Sequence, residues 1–282
     1  MSSYLVTDVF TDRPFGGNQL AVFPDAEALP QHRLQAIAAE FNFSEVTFVY
    51  PPDDLRHTAK VRIFTPTQEI PFAGHPVIGT AIALADLGFP SEMILELGIG
   101  PVPCTVTEAG ASFTTTVPLT RNAQPDPDLV ARALGLTPDR IDTSLHAPVQ
   151  AGLGLSFVIA RLTDRAALSA CQPDVAAMRE GAARYPGSLD FATLAYVADG
   201  ATIHARMFAP LDNIPEDPAT GSAAAALAAL LRDVTGQPQD LTIHQGVDLG
   251  RPSLIFATAD ADGVTIAGQA VKVMEGRILV DQ

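Results

Sequence analysis

Basic residues are scarce in this sequence, cysteine is nearly absent, and no apolar run is long enough to cross a bilayer. The chain carries 17 Lys and Arg against 32 Asp and Glu, a formal net charge of −15. No Lys or Arg cluster interrupts that surplus. Nucleic acid and anionic membrane both require a basic face, so neither is expected as a partner. The apolar stretch 71–90 is broken by His75, Pro76 and Asp86, and the Ala/Leu run at 222–231 is too short to span. The opening residues, MSSYLVTDVFTDRP, have neither a basic n-region nor an apolar h-region, so no signal peptide is expected. Cys104 and Cys171 lie far apart with no CxxC pair, as two reduced thiols would. These features predict a cytoplasmic location.

What the chain has in quantity is apolar residues and one repeated stretch. A hydrophobic content of 47% with only 17% charged residues predicts a large buried core. The length of 282 residues suits one large domain or two of about 130–140 residues. The repeat favours two. Residues 60–71, KVRIFTPTQEIP, match 204–215, HARMFAPLDNIP, at Arg62/Arg206, Phe64/Phe208, Pro66/Pro210, Ile70/Ile214 and Pro71/Pro215. After a two-residue slip, HPVIGTA (75–81) matches DPATGSA (217–223). Each copy reads as a strand, a proline turn and a helix start.

Periodicity supplies the elements around these copies. Alternation predicts a strand over Tyr4–Phe10, and β-branched and aromatic residues predict strands at Leu20–Phe23, Glu45–Tyr50 and Ala59–Phe64. Leu34, Ile37 and Phe41 predict a helix within 29–41. Pro76 suits a first helical position, opening an apolar helix that Gly88 ends, and three strands follow to about Pro118. The polar, Pro-rich segment 120–128 is the linker candidate. Beyond it we expect a helix at 128–135, a strand at 155–160, helical segments within 164–184 and strands at 191–197 and 202–208. A second apolar helix at 218–232 and strands at 240–245, 253–258, 263–273 and 276–280 complete the chain. The fold class is therefore α+β: two pseudo-symmetric lobes, each a curved, mostly antiparallel, barrel-like sheet around one apolar helix. The first lobe is placed at 1–120, with the last dozen residues a candidate addition to it, and the second at 121–282.

The chemistry is expected where the two copies converge, in a cleft between the lobes. Asp217 precedes Pro218 and reads as a helix N-cap. Behind it Gly221 and Ser222 lie in a first turn whose free amides and dipole favour an anion. In the first copy Gly74 leaves room at the turn, and His75 stands at a helix N-terminus whose positive end opposes imidazolium. Glu45 heads an apolar strand between Phe43 and Val46; turned inward it would be costly to desolvate, favouring its protonated form and acid–base work. Turned outward it would simply meet water. Glu40, on the polar face of a helix, and Glu69, at a turn, compete with it.

The stretches GGNQLAVF (16–23), SEVTFV (44–49), FTPTQEIPFAGHPVIGTA (64–81) and EDPATGSAAAAL (216–227) together resemble the phenazine-biosynthesis PhzF-like isomerase family. The resemblance runs in order along the whole chain. It implies the diaminopimelate epimerase-like fold, no metal, no organic cofactor, a small carboxylate substrate and a homodimer. It also implies that Glu45 is the proton shuttle, that His75 and Asp217 assist it, and that Ser222, with Asn18, Gly74 and Gly221, binds substrate. The cysteine pair of the related racemases is missing, since Cys104 and Cys171 fall outside both motifs. Gln19 replaces a frequent proline and Val77 a frequent threonine, departures that bear on substrate preference. Two other readings stand beside the isomerase: a non-catalytic binder of a small anionic metabolite, and a hydrolase built on Ser222, His75 and Asp217. The second is disfavoured because Ser222 lies in no G-x-S-x-G elbow.

Overall fold

The computed structural model describes residues 2–279. The strand expected at 276–280 and the C-terminal dozen both extend past that range, so their last residues lie outside the described part.

The chain begins with β1 (Ser2–Val9), β2 (Asn18–Phe23), α1 (Leu34–Phe41), β3 (Glu45–Tyr50) and β4 (Ala59–Phe64). Next come β5 (Glu69–Ile70), α2 (Gly74–Asp86), β6 (Glu92–Leu97), β7 (Gly100–Thr107) and β8 (Gly110–Thr115). Then follow β9 (Thr120–Ala123), α3 (Pro127–Ala133), β10 (Val149–Leu153), β11 (Leu155–Arg161), α4 (Arg165–Ala170) and α5 (Val175–Arg184). The remainder comprises β12 (Thr193–Asp199), β13 (Thr202–Ala209), β14 (Ile214–Asp217), α6 (Gly221–Thr235), β15 (Gln239–Gln245), β16 (Ser253–Ala259), β17 (Val264–Gly268) and β18 (Ala270–Ile278). The architecture is mixed α+β. Two compact units divide it, the described parts of 1–115 with 267–282, and 116–266.

In the first unit β1 pairs antiparallel with β2 and β18, and β2 runs parallel to β3. Strand β4 is antiparallel to β3 and β5 but parallel to β6, and β6, β7 and β8 continue as an antiparallel meander. Helix α2 touches β1, β2, β3, β7, β8 and β18, so the sheet must curve around it. That contact explains why α2 is apolar on nearly every side: ten of its residues are buried. The sheet's other face is closed by α1, whose Leu34, Ile37 and Ala38 pack with Phe23, Val46, Phe48 and Phe64.

The second unit repeats this pairing order. β10 is antiparallel to β11, β11 parallel to β12, and β12 antiparallel to β13. β13 is antiparallel to β14 but parallel to β15, which is antiparallel to β16. Helix α6 touches β10, β11, β15 and β16. The outer face is covered by α3, α4 and α5 through Leu129, Leu168, Met178 and their neighbours.

Several expected boundaries move. The supposed linker 120–128 holds a strand, β9, paired with β10, and its Asp126 side chain caps α3. Its exposed, polar side chains carry no alternation, so only the backbone ladder reveals it. The strand β10 was not anticipated. The stretch 263–273 is two strands broken at Gln269, and the chain passes there from the second unit to the first. Helix α2 begins at Gly74, two residues before Pro76, which still falls among first-turn positions that need no intrahelical N–H bond. At its other end Gly88, with φ +92°, lets the amide of Phe89 return to the Leu84 carbonyl.

Candidate active site

Four of the sequence-derived residues lie in the first unit, and three of them, Asn18, Glu45 and His75, meet. Asn18 begins β2, Glu45 begins β3, and Gly74 and His75 open α2. Asn18 Nδ2 lies 3.4 Å from His75 Nδ1. On the far side of the ring, His75 Nε2 lies 3.4 Å from Glu45 Oε2. Asn18 and His75 are buried, and the Glu45 side chain is 13% exposed. Glu45 is thus turned inward, whereas Glu40 is exposed and Glu69 is paired with Arg62 on the surface.

The approach of α2 to the sheet depends on Gly79. A Cβ there would stand 2.6 Å from Leu20 Cδ2 and 2.7 Å from Val9 Cγ2. One helical turn before Gly79 is His75, so this close packing delivers the imidazole to the ends of β2 and β3. The pKa of His75 is pushed down to about 3, mainly because burial penalises imidazolium, with the Gln19 backbone opposing the shift. Burial therefore keeps the ring neutral near pH 7.

The other three residues belong to the second unit. Asp217 is the last residue of β14, and Gly221 is the first of α6, with Ser222 next. The expectation that Asp217 caps a helix beginning at 218 is corrected: Thr220 is the N-cap position, with no side-chain cap bond. The cause is a set of side-chain bonds that keeps 217–220 out of the helix. Gln245 donates through Nε2 to the Asp217 carbonyl at 2.8 Å and accepts the Thr220 amide through Oε1 at 3.2 Å. Ser253 Oγ donates to the Pro218 carbonyl at 2.8 Å. Thr220 Oγ1 in turn donates to Asp217 Oδ2 at 2.5 Å. Asp217 itself is buried. At the start of α6 the Ala224 amide bonds the Thr220 carbonyl at 2.9 Å, and the amides of Gly221 and Ser222 precede it in the first turn, where no intrahelical acceptor exists for them.

Sequence reasoning did not point to Gln245 or Ser253, the residues that bond to the 217–220 segment. A signal for Gln245 existed: β15 turns Leu241, Ile243 and Gln245 inward, and the third is polar where the alternation calls for an apolar residue. Cys104 and Cys171 are buried with pKa values pushed up to about 12 by desolvation, so neither is a thiolate near pH 7. Among the described residues no group of three or more His, Cys, Asp or Glu is placed to hold a metal ion, and no helix is long and apolar enough to cross a membrane.

Comparison with known proteins places the chain in a family. The sequence model of the family described as phenazine biosynthesis-like protein matches residues 7–276. An uncharacterised isomerase of Mesorhizobium japonicum is 38% identical, with 99% of each chain covered. The trans-2,3-dihydro-3-hydroxyanthranilate isomerase of Pseudomonas aeruginosa is 36% identical over 98% of this chain and 99% of its own. Among solved structures, a PhzF-family phenazine biosynthesis protein of Bacillus anthracis superposes with a TM-score of 0.86 at 24% identity, covering 99% of both chains. A predicted epimerase of Pseudomonas aeruginosa gives a TM-score of 0.83 at 30% identity, covering 100% of both. The chain belongs to the phenazine biosynthesis-like, or PhzF, family, and it is an isomerase of that family.

Proposed function

We propose that the chain moves a proton on a small carboxylate-bearing metabolite without a cofactor, with Glu45 as the acid–base group. The observation that carries this reading is the inward-turned Glu45 carboxyl beside a buried, neutral His75, 3.4 Å from Oε2 to Nε2. In the reaction Glu45 takes a proton from carbon, and the C–H electron pair moves into the conjugated system of the substrate. Protonated Glu45 then returns the proton to a different carbon and becomes a carboxylate again. Nothing is oxidised or reduced, and the product has the composition of the substrate. A neutral imidazole suits this role because it can donate or accept a hydrogen bond without placing a fixed cation against the shuttle. Asn18 holds the ring from its other nitrogen, and Gly74 leaves the turn open.

Asp217 is assigned to the same reaction through its match to His75 in the sequence repeat. The substrate carboxylate is assigned to the Gly221 and Ser222 amides, supported by their place at the start of the 15-residue helix α6. A cytoplasmic homodimer is part of the same reading and rests on the family resemblance.

The test is solvent exchange. Carboxylates should be incubated with the enzyme in D₂O, beginning with trans-2,3-dihydro-3-hydroxyanthranilate, named for the Pseudomonas aeruginosa relative. Deuterium entering one carbon-bound position of a substrate, with isomer formed, is the expected result. Isomer formation with no solvent deuterium at any carbon, and no transfer of a label from one carbon to another, would contradict a proton shuttle.

A further inference from the structure

Gln245 is bonded to Asp217 although it stands 28 residues beyond it in sequence. Its side chain is buried, 1% exposed, on a strand whose other inward residues are Leu241 and Ile243. A buried amide on such a face is costly unless all its bonds are made. Here they are made to one short segment. Nε2 donates both to the Asp217 carbonyl at 2.8 Å and to Thr220 Oγ1 at 3.0 Å, while Oε1 accepts the Thr220 amide at 3.2 Å. Having accepted from Gln245, the Thr220 hydroxyl directs its own proton to Asp217 Oδ2 at 2.5 Å. A chain of donors thus runs from Gln245 through Thr220 to Oδ2 of the Asp217 carboxylate. The cross-strand neighbour of Gln245, Ser253, fastens Pro218 in the same way.

The first unit shows that the fold does not require an amide at this place. Lys60 pairs with Glu96 where His204 pairs with His244, so Leu97 occupies the position that corresponds to Gln245. There the segment matching 217–220 is already helical, at the start of α2.

The geometry points to Gln245 as a positioning residue for Asp217: it holds 217–220 extended and orients the Asp217 carboxylate through Thr220. This rests on the proposed role of Asp217 in proton transfer. Three variants test it in the full chain: Gln245→Leu, Asp217→Asn and the double variant, with deuterium washout of trans-2,3-dihydro-3-hydroxyanthranilate as the readout. Misplacing a catalytic group by about 1 Å costs about 10²-fold in rate, so Gln245→Leu should lower kcat by about 10- to 100-fold while KM moves less than about threefold. In the Asp217→Asn background the same change should cost less than about twofold, because the carboxylate it orients is gone. Losses that multiply in the double variant, or a fall confined to KM, would overturn the inference. Gln245→Glu keeps the side-chain length and covers the case in which the leucine variant does not fold. Its activity should rise as pH falls and the new carboxyl becomes a donor to Thr220, and a profile parallel to wild type would also overturn the inference. If wild-type enzyme shows neither washout nor isomerisation, the reading of the reaction fails with it; multiplying losses in an active enzyme sink the inference alone.

Discussion

The two copies of the repeated motif share a frame and differ in their chemistry. In both, an Arg on the central strand lies over a Phe two residues on: Arg62 over Phe64 at 5.1 Å, and Arg206 over Phe208 at 4.8 Å. In both, that Arg is held by a Glu from the short return strand, Glu69 in β5 and Glu216 in β14. The positions facing the working groups are not shared. Val46 pairs with Phe64 as Thr193 pairs with Phe208, so Glu45 corresponds to Ala192, which is buried and apolar. His75 lies inside the first turn of α2, while its match Asp217 ends a strand four residues before α6. The frame therefore carries an ion pair and a cation–π contact twice, and the Glu45 carboxylate, the proposed shuttle, once.

The largest expected difference between the copies is in stability. The Arg206 and Glu216 side chains are each 11% exposed, and Arg206 also donates to the carbonyls of Leu168, Ser169 and Cys171. Arg206→Ala leaves a largely buried carboxylate without its partner and removes a donor from three carbonyls, at a cost of about 3–5 kcal/mol. Arg62 and Glu69 are 27% and 44% exposed, and Arg62→Ala should cost about 1 kcal/mol or less. Urea denaturation of the two variants measures this; equal losses would mean that the two ion pairs are not specialised.

Next in size is Gly79→Ala, which presses a methyl group into Leu20 and Val9 and should destabilise by about 1–3 kcal/mol. It should also lower kcat, because the displaced helix carries His75. A variant that loses stability with kcat intact would separate the packing of α2 from the placement of the imidazole.

The last comparison concerns pH. His75 titrates near 6.5 in the unfolded chain and at about 3 in the folded one. Between these values the unfolded chain binds more protons, so the His75 contribution makes stability fall as pH drops from 6.5 towards 3. Glutamine cannot titrate. The loss of stability between about pH 7 and about pH 4.5 should therefore be shallower in His75→Gln than in wild type. Equal slopes would show that the ring is not buried in neutral form.

Much of this was legible in the sequence because it rests on pattern. The duplicated strand–turn–helix, the two apolar helices and the strand β3 follow from periodicity and from Pro and Gly placement, whereas the inward turn of Glu45 was open until the structure showed it. Strand β9 was hidden because its pairing involves only backbone groups. The start of α6 was misplaced because Asp-Pro before a helical run is a strong local cap signal. Bonds from Gln245 and Ser253, on strands later in the chain, overrule it. Contacts between residues distant in sequence leave little local trace, and Gln245 showed only as a polar residue in an apolar register.

The most direct test of the central claim is the solvent-deuterium exchange rate of Glu45→Gln beside wild type. Gln keeps the shape of the side chain and removes its capacity to carry the proton. The account predicts exchange and isomerisation lowered together by about 10²–10⁴-fold, with substrate binding retained. Exchange at the wild-type rate in Glu45→Gln would contradict it and move the base to another residue.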